Sequence, residues 1–101
     1  MTNLGGTPWK LERFPETLNI WIEICSPSSE LRRIVRTWVV TRYEDPYEGM
    51  RREPNIDNLW YGVVPGSNDG HGNVVVCSYF IYESTRTVCC NGCTTLSLPV
   101  P

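Results

Sequence analysis

The chain has 101 residues, of which 41% are hydrophobic and 20% are charged, and its formal net charge is -2. These values exclude a disordered chain and a second sizeable domain, and they give no overall electrostatic bias toward nucleic acid or an anionic membrane. No apolar segment reaches the roughly 20 residues that cross a bilayer. We therefore expect one cytoplasmic domain over residues 1–101, with a flexible N-terminal segment at 1–8 and a tail at 99–101.

Cysteine is frequent in this chain, and the number of cysteines is odd, so a complete disulfide framework would leave one thiol over. The five positions are Cys25, Cys77, Cys89, Cys90 and Cys93. Cys90 and Cys93 form a C-x-x-C pair, but a closed zinc site needs four ligands, usually from two such pairs. The sequence predicts reduced thiols that pack as small apolar side chains, with no metal and no cofactor; a redox pair at Cys90 and Cys93 is the alternative.

The first predicted elements are a strand and a helix. Residues 9–14 alternate in polarity, which predicts a half-buried strand with Trp9 and Leu11 facing inward. Residues 16–25 fit both helical spacing and strand alternation. We favour a helix, because Glu16 and Thr17 directly after Pro15 resemble a helix start.

A second helix is predicted after Ser26, which can act as its N-cap, with Pro27 at the first helical position. Apolar side chains then recur at helical spacing: Leu31, Ile34, Val35, Trp38 and Val39. The helix should end near Tyr43, because the residue before Pro46 avoids helical geometry. Residues 47–58 show no periodicity and are predicted to form a loop.

Three strands complete the prediction. Residues 59–64 and 73–82 are β-prone runs joined by a loop rich in Gly, Asn and Asp, and a last strand begins at Thr87. Asn91-Gly92 is either a tight turn between two short strands or the site of a bulge at Gly92 in one continuous strand, and we favour the bulge. The predicted fold is α+β: a four-stranded, mainly antiparallel sheet with an N-terminal helical hairpin on one face. The predicted core comprises Trp9, Leu11, Leu18, Leu31, Ile34, Val35, Trp38, Leu59, Val63, Val75, Cys77 and Val88.

Basic residues are concentrated in the first half of the chain, and Arg86 is the only one after Pro54. A predicted partner-binding surface is formed by Arg32, Arg33 and Arg36 on the second helix, with Arg42, Arg51 and Arg52 nearby. This surface would bind an acidic protein segment or nucleic acid. The alternative is that these arginines only keep a surface helix soluble.

The order strand, helix, helix and three antiparallel strands resembles the RelE/ParE toxin superfamily of bacterial toxin–antitoxin systems, from Trp9 to about Leu98. Four short segments carry the resemblance: Ser29-Glu30-Leu31-Arg32-Arg33, Asp45-Pro46, Asn58-Leu59-Trp60-Tyr61, and the strand from Val75 to Tyr82. The resemblance implies a protein that either cleaves messenger RNA on the ribosome or acts on DNA gyrase. It also implies an antitoxin partner that neutralises the protein.

RelE-type nucleases line their sheet with Lys and Arg, which stabilise the charge that develops during cleavage without a metal. The predicted strands of this chain carry aromatic side chains instead, and only Arg86 and Tyr61 are weak catalytic candidates. We therefore expect a RelE/ParE-like protein that acts by protein–protein contact. The alternatives are a metal-independent ribonuclease of the same fold and a non-catalytic binding or regulatory scaffold.

Overall fold

The computed structural model describes residues 8–97, which form two helices and five strands. In chain order these are β1 (Lys10–Glu12), α1 (Phe14–Cys25), α2 (Ser29–Thr41), β2 (Arg51–Arg52), β3 (Leu59–Val63), β4 (Asn73–Tyr82) and β5 (Thr87–Ser97), with a 3₁₀ turn at Glu83–Thr85. Apart from Pro8, the predicted flexible segment 1–8 and the predicted tail 99–101 lie outside the described residues.

The strands form one mixed sheet in the order β1-β5-β4-β3-β2, in which β1 is parallel to β5 and all other neighbours are antiparallel. The α+β class is confirmed, but the prediction of four strands is wrong, because β2 forms within the predicted loop 47–58. Arg51 pairs with Tyr61 and Arg52 pairs with Trp60. A strand of two residues has no periodicity of its own, so only its pairing with β3 reveals it.

Both helices form where the sequence predicted them, although their ends differ. α1 begins at Phe14, and Pro15 lies in its first turn. The prediction that Ser26 caps α2 is wrong, because Ser26 ends α1: its N–H donates to the carbonyl of Ile22 at 3.0 Å. Ser28 is the N-cap instead, since its hydroxyl accepts from the N–H of Leu31 at 3.1 Å.

The two helices pack on one side of the sheet, which we call the covered face. Val75, Cys77, Tyr79 and Ile81 of β4 form its centre and are almost completely buried. Seven predicted core residues are buried there: Trp9, Leu18, Val35, Trp38, Val75, Cys77 and Val88. Leu11, Leu31 and Ile34 are partly buried against them.

Two core predictions on β3 fail. Val63 is 50% exposed and Leu59 is only half-buried, because both side chains point away from the helices. The neighbours Trp60 and Val64 occupy the covered face instead, where Trp60 lies opposite Tyr79. Consecutive side chains of a strand alternate between the two faces, so a shift of one residue exchanges the buried and exposed sets.

β5 is one continuous strand with a bulge, as favoured from the sequence, but the bulged residue is Asn91 and not Gly92 as predicted. Ser78 pairs with Gly92 and Tyr79 pairs with Cys90, which leaves Asn91 without a partner in the ladder. The extra residue shifts the alternation, so that Cys93, like Cys90, lies on the covered face. Thr95 follows on the same face.

Candidate functional site on the open face of the sheet

The face of the sheet that points away from the helices is the candidate functional site, and we call it the open face. Its central residues are Leu59, Tyr61 and Val63 of β3, Val76, Ser78, Phe80 and Tyr82 of β4, and Gly92, Thr94 and Leu96 of β5. Several of its large apolar side chains are exposed, including Val63 at 50%, Leu96 at 45% and Tyr61 at 38%. Grouped apolar side chains in contact with water are typical of an interaction surface.

A depression lies on this face beside Tyr61 and Val63. Tyr61 lies opposite Ser78 in the sheet and forms part of the wall of the depression. A cavity of about 420 Å³ is lined by side chains of β2, β3, β4 and β5. These include Arg51, Tyr61, Val63, Val76 and Leu96. The depression is therefore apolar, with one guanidinium group at its margin.

Phe80 and Tyr82 extend the apolar surface along β4. Their rings are nearly parallel, with an interplanar angle of 8° and centroids 6.1 Å apart. Tyr82 is 40% exposed, whereas Phe80 is half-buried. Aromatic rings favour strand conformation, but propensity alone does not require them on the side exposed to water.

The two weak catalytic candidates are not brought together. Tyr61 lies on the open face opposite Ser78, whereas Arg86 precedes Thr87, which lies opposite Tyr82. The four-residue interval between Ser78 and Tyr82 corresponds to about 13 Å along β4. The guanidinium carbon of Arg86 is 4.4 Å from the ring centroid of Trp9, a core residue on the covered side.

The arginines of α2 lie on its outer surface, but two of them have local partners. Arg33 forms an ion pair with Glu30 at 2.5 Å, and both side chains are about two-thirds exposed. The Nε atom of Arg32 donates to the carbonyl of Pro27 at 3.3 Å. Arg36 is exposed. An acidic neighbour reduces the positive potential that Arg33 presents to a partner.

Arg42 does not belong to the exposed arginines, and its predicted place on the partner-binding surface is corrected. Its side chain is only 2% exposed. Nη1 donates to the carbonyl of Glu48 at 2.8 Å and to the hydroxyl of Tyr79 at 3.2 Å, and Cζ lies 4.6 Å from the ring centroid of Trp38. The spacing contained a signal, because Arg42 follows Trp38 by four residues and therefore continues the apolar stripe of α2.

The two remaining predicted arginines lie on β2, at the edge of the sheet. Both are exposed. Arg51 pairs with Tyr61 and lines the cavity of the open face, whereas the side chain of Arg52 points to the other side of the sheet. Of the six arginines predicted to bind a partner, Arg51 is thus the one that the structure places beside the apolar depression.

Searches with the chain found no matching family model, no similar curated protein and no similar solved structure. Within residues 8–97 no group of three or more His, Cys, Asp or Glu side chains could hold a metal ion. None of the helices described is long and apolar enough to cross a membrane. The function is therefore inferred from the geometry of the open face.

Proposed function

We propose that this protein is a RelE/ParE-like toxin-superfamily protein that acts in the cytoplasm by contact with another protein and is neutralised by a partner antitoxin. The element order on which the resemblance rests supports the proposal: one strand, two helices and then antiparallel strands, with the short β2 added. The observation that carries the proposal is the exposed apolar surface of the open face. The five free thiols are in keeping with a reducing compartment.

The distribution of cations favours protein contact over cleavage of RNA. Cleavage without a metal needs positive groups where charge develops on the phosphate. On the open face as described, Arg51 and Lys10 lie on β2 and β1, the two opposite edge strands. Between them the surface is made of apolar, aromatic and small uncharged side chains. Such a surface gains more free energy from burying apolar groups than from contact with a phosphate backbone.

The partner segment has a predictable chemistry. Apolar side chains would fill the depression beside Tyr61, which Val63, Val76 and Leu96 also line. An acidic side chain at one end of the segment would reach Arg51 at the margin. Burial of the aromatic and apolar side chains would provide most of the affinity, and the charged pair at the margin would mainly fix the orientation.

Induced expression in a bacterial host tests this function. We expect wild-type protein to arrest growth and the double variant Tyr61→Ser/Val63→Ser to relieve the arrest, because both exposed side chains would lose their apolar contacts. The matched control is the double variant Arg33→Glu/Arg36→Glu on α2, which leaves the open face intact and should still arrest growth. Purified samples of both double variants should unfold close to the wild-type temperature, since the altered side chains are exposed.

Three outcomes would contradict the proposal in different ways. No arrest in any strain would exclude a toxin and favour a binding scaffold. Arrest relieved only by Arg86→Ala would favour the ribonuclease, since that residue lies away from the depression. Arrest relieved only by the Arg33 and Arg36 substitutions would indicate that α2, and not the open face, binds the target.

A further inference from the structure

The outer edge of β5 is open along most of its length. β1 pairs with β5 only from Thr87 to Cys89, whereas β5 continues to Ser97 with β4 on its other side. Within residues 8–97 no further segment forms backbone hydrogen bonds to this edge. We call the stretch from Asn91 to Ser97 the free edge.

The backbone groups of the free edge follow from the ladder between β4 and β5. Val75 and Ile81 of β4 form hydrogen bonds of 2.8 Å with the residues that flank β3, so the even-numbered residues of β4 bond to β5. Their partners beyond the bulge are Gly92, Thr94 and Leu96. The intervening residues direct their N–H and C=O groups away from β4. These outward-directed residues are Cys93, Thr95 and Ser97.

The free edge has none of the side chains that normally prevent strands from pairing. Natural sheets protect their edges with lysine, other charged residues or proline. The free edge reads Asn-Gly-Cys-Thr-Thr-Leu-Ser and has neither a charge nor a proline. The bulge at Asn91 interrupts regular pairing only where the free edge begins. The residues after the bulge are therefore a template for a further strand.

α1 places two exposed isoleucines beside the free edge. Ile20 is 55% exposed, and together with residues 91–93 it lines a cavity of about 440 Å³. Ile24, one turn further along the same side of α1, is 76% exposed. Trp21 holds α1 alongside β5, because its Nε1 donates to the hydroxyl oxygen of Thr95 at 3.0 Å. Exposed apolar side chains and unpaired backbone groups thus form one surface, which is typical of an interaction site.

We propose that a second copy of this chain binds to this surface, independently of the function proposed for the open face. The β5 strands of the two copies pair antiparallel about a twofold axis at Thr95 and join the two sheets. Thr95 then lies opposite Thr95, and Cys93 lies opposite Ser97, so every outward-directed residue of the free edge is paired. The two α1 helices run antiparallel on the same side of the joined sheet. Ile20 of one copy comes near Ile24 of the other, because Trp21 lies beside the axis.

The distribution of charge favours a second copy as the occupant. In a twofold interface each group near the axis meets its own copy, so a charge there would be repelled. The free edge is uncharged, and so are Thr17, Ile20 and Ile24 on the adjoining side of α1. Arg13 is charged, but it lies eight residues before Trp21, so its two copies are separated by about 24 Å along the helices. Salt screens charges at that distance, because the Debye length is about 8 Å.

Sedimentation equilibrium of the purified chain under reducing conditions tests the dimer. We expect the mass to rise with concentration from 11.6 kDa toward twice that value. The double variant Ile20→Glu/Ile24→Glu should raise the dissociation constant at least about tenfold, because it places carboxylates in an apolar contact. The matched control Val40→Glu/Tyr43→Glu adds the same charge at exposed apolar positions near the end of α2, and should change the constant by less than about twofold. Both double variants should unfold close to the wild-type temperature, since the altered side chains are exposed.

A disulfide between the two copies tests the strand register. In Ser97→Cys the new thiol would face Cys93 of the second copy across a Cα separation of about 5.5 Å, which a disulfide can span. Mild oxidation should give a covalent dimer on a non-reducing gel, and peptide mapping should locate the bond between positions 93 and 97. Leu96→Cys is the control, because position 96 lies opposite Thr94 of the second copy and should give no such bond. The proposal would be overturned by a monomer at every concentration, by isoleucine substitutions that leave the dissociation constant unchanged, or by a dimer in which Ser97→Cys forms no bond to Cys93.

Discussion

The two faces of β4 carry side chains of comparable apolar character, but the helices cover only one of them. Val75, Cys77, Tyr79 and Ile81 are almost completely buried, while the alternate positions from Val76 to Tyr82 are half-buried or exposed. A covered face needs apolar side chains for folding, because their burial stabilises the protein. The open face has no such requirement, and its exposed apolar side chains are the reason why we propose that it binds a partner.

Polar groups show the same contrast. Arg42 lies under the C-terminal end of α2, where Glu48, Tyr79 and Trp38 surround its guanidinium group. The hydroxyl of Tyr79 in turn donates a hydrogen bond to the carbonyl of Pro46. Arg36, from the same helix, is exposed. A buried polar group is tolerated only when its hydrogen bonds are made, whereas an exposed one is satisfied by water. Three predictions test this contrast between the covered and exposed regions.

The largest effect is expected from Arg42→Met. The substitution removes the donor to the carbonyl of Glu48 and to the hydroxyl of Tyr79, and the new side chain cannot replace it. We expect the free energy of unfolding to fall by about 2–4 kcal/mol. The carboxylate of Glu48 contributes little, because it is 75% exposed and 3.9 Å from Nη2.

Urea denaturation followed by circular dichroism measures this change. Arg36→Met is the matched control and should alter the free energy of unfolding by no more than about 0.5 kcal/mol. Equal effects of the two substitutions would show that the Arg42 network does not hold α2 to the segment that follows it.

A smaller effect is expected from truncating one valine on each face. Val75 is fully buried, and Val75→Ala should lower the free energy of unfolding by about 1.5–3 kcal/mol through lost burial and a residual cavity. Val63, which is 50% exposed, should lose less than about 1 kcal/mol in Val63→Ala. Thermal and urea unfolding of the two variants measure the difference. If Val63→Ala were as damaging as Val75→Ala, the open face would have to be covered in solution.

The smallest effect is expected at alkaline pH and comes from the covered face. Burial raises the pKa of Cys93 from 9.0 to about 12 and that of Tyr79 from 10.0 to about 12. The unfolded chain releases these protons at a lower pH than the folded protein does. The contribution of the two groups to stability is therefore fully present below about pH 9 and is lost as the pH rises toward 12. Cys93→Ala should reduce the loss between pH 9 and pH 11 by about 1 kcal/mol.

Urea denaturation at fixed pH values across this range measures how the free energy of unfolding changes with pH. Cys89→Ala is the control for a neighbouring thiol. Tyr79→Phe should make the free energy of unfolding fall less steeply at the upper end of this pH range. The reason is that the pKa of the Tyr79 hydroxyl is also raised in the folded protein. A Cys93→Ala variant whose stability falls as steeply as that of the wild type would mean that this thiol is open to water.

Local patterns were sufficient for most elements but not for the site. The apolar stripe of α2 has helical spacing, and residues 73–82 are a run of β-prone side chains. Each pattern is typical of one kind of secondary structure, so both elements were predicted. The position of Arg42 in that stripe was also visible in the spacing, but its charge suggested an exposed surface. Its burial depends on Glu48 and Tyr79, which are six and 37 residues away and have no sequence signal that connects them to it.

The sequence by itself determined the α+β class, the helix α2 and the strands β3, β4 and β5 from local patterns, whereas α1 was favoured over a strand only by its start signal after Pro15. Only the tertiary structure decided that Asn91 is the bulged residue, that 51–52 form β2, and that Val63 and Leu59 belong to the open face. These three outcomes depend on strand register. Register is set by contacts between distant segments, and a shift of one residue exchanges the faces without changing the local pattern.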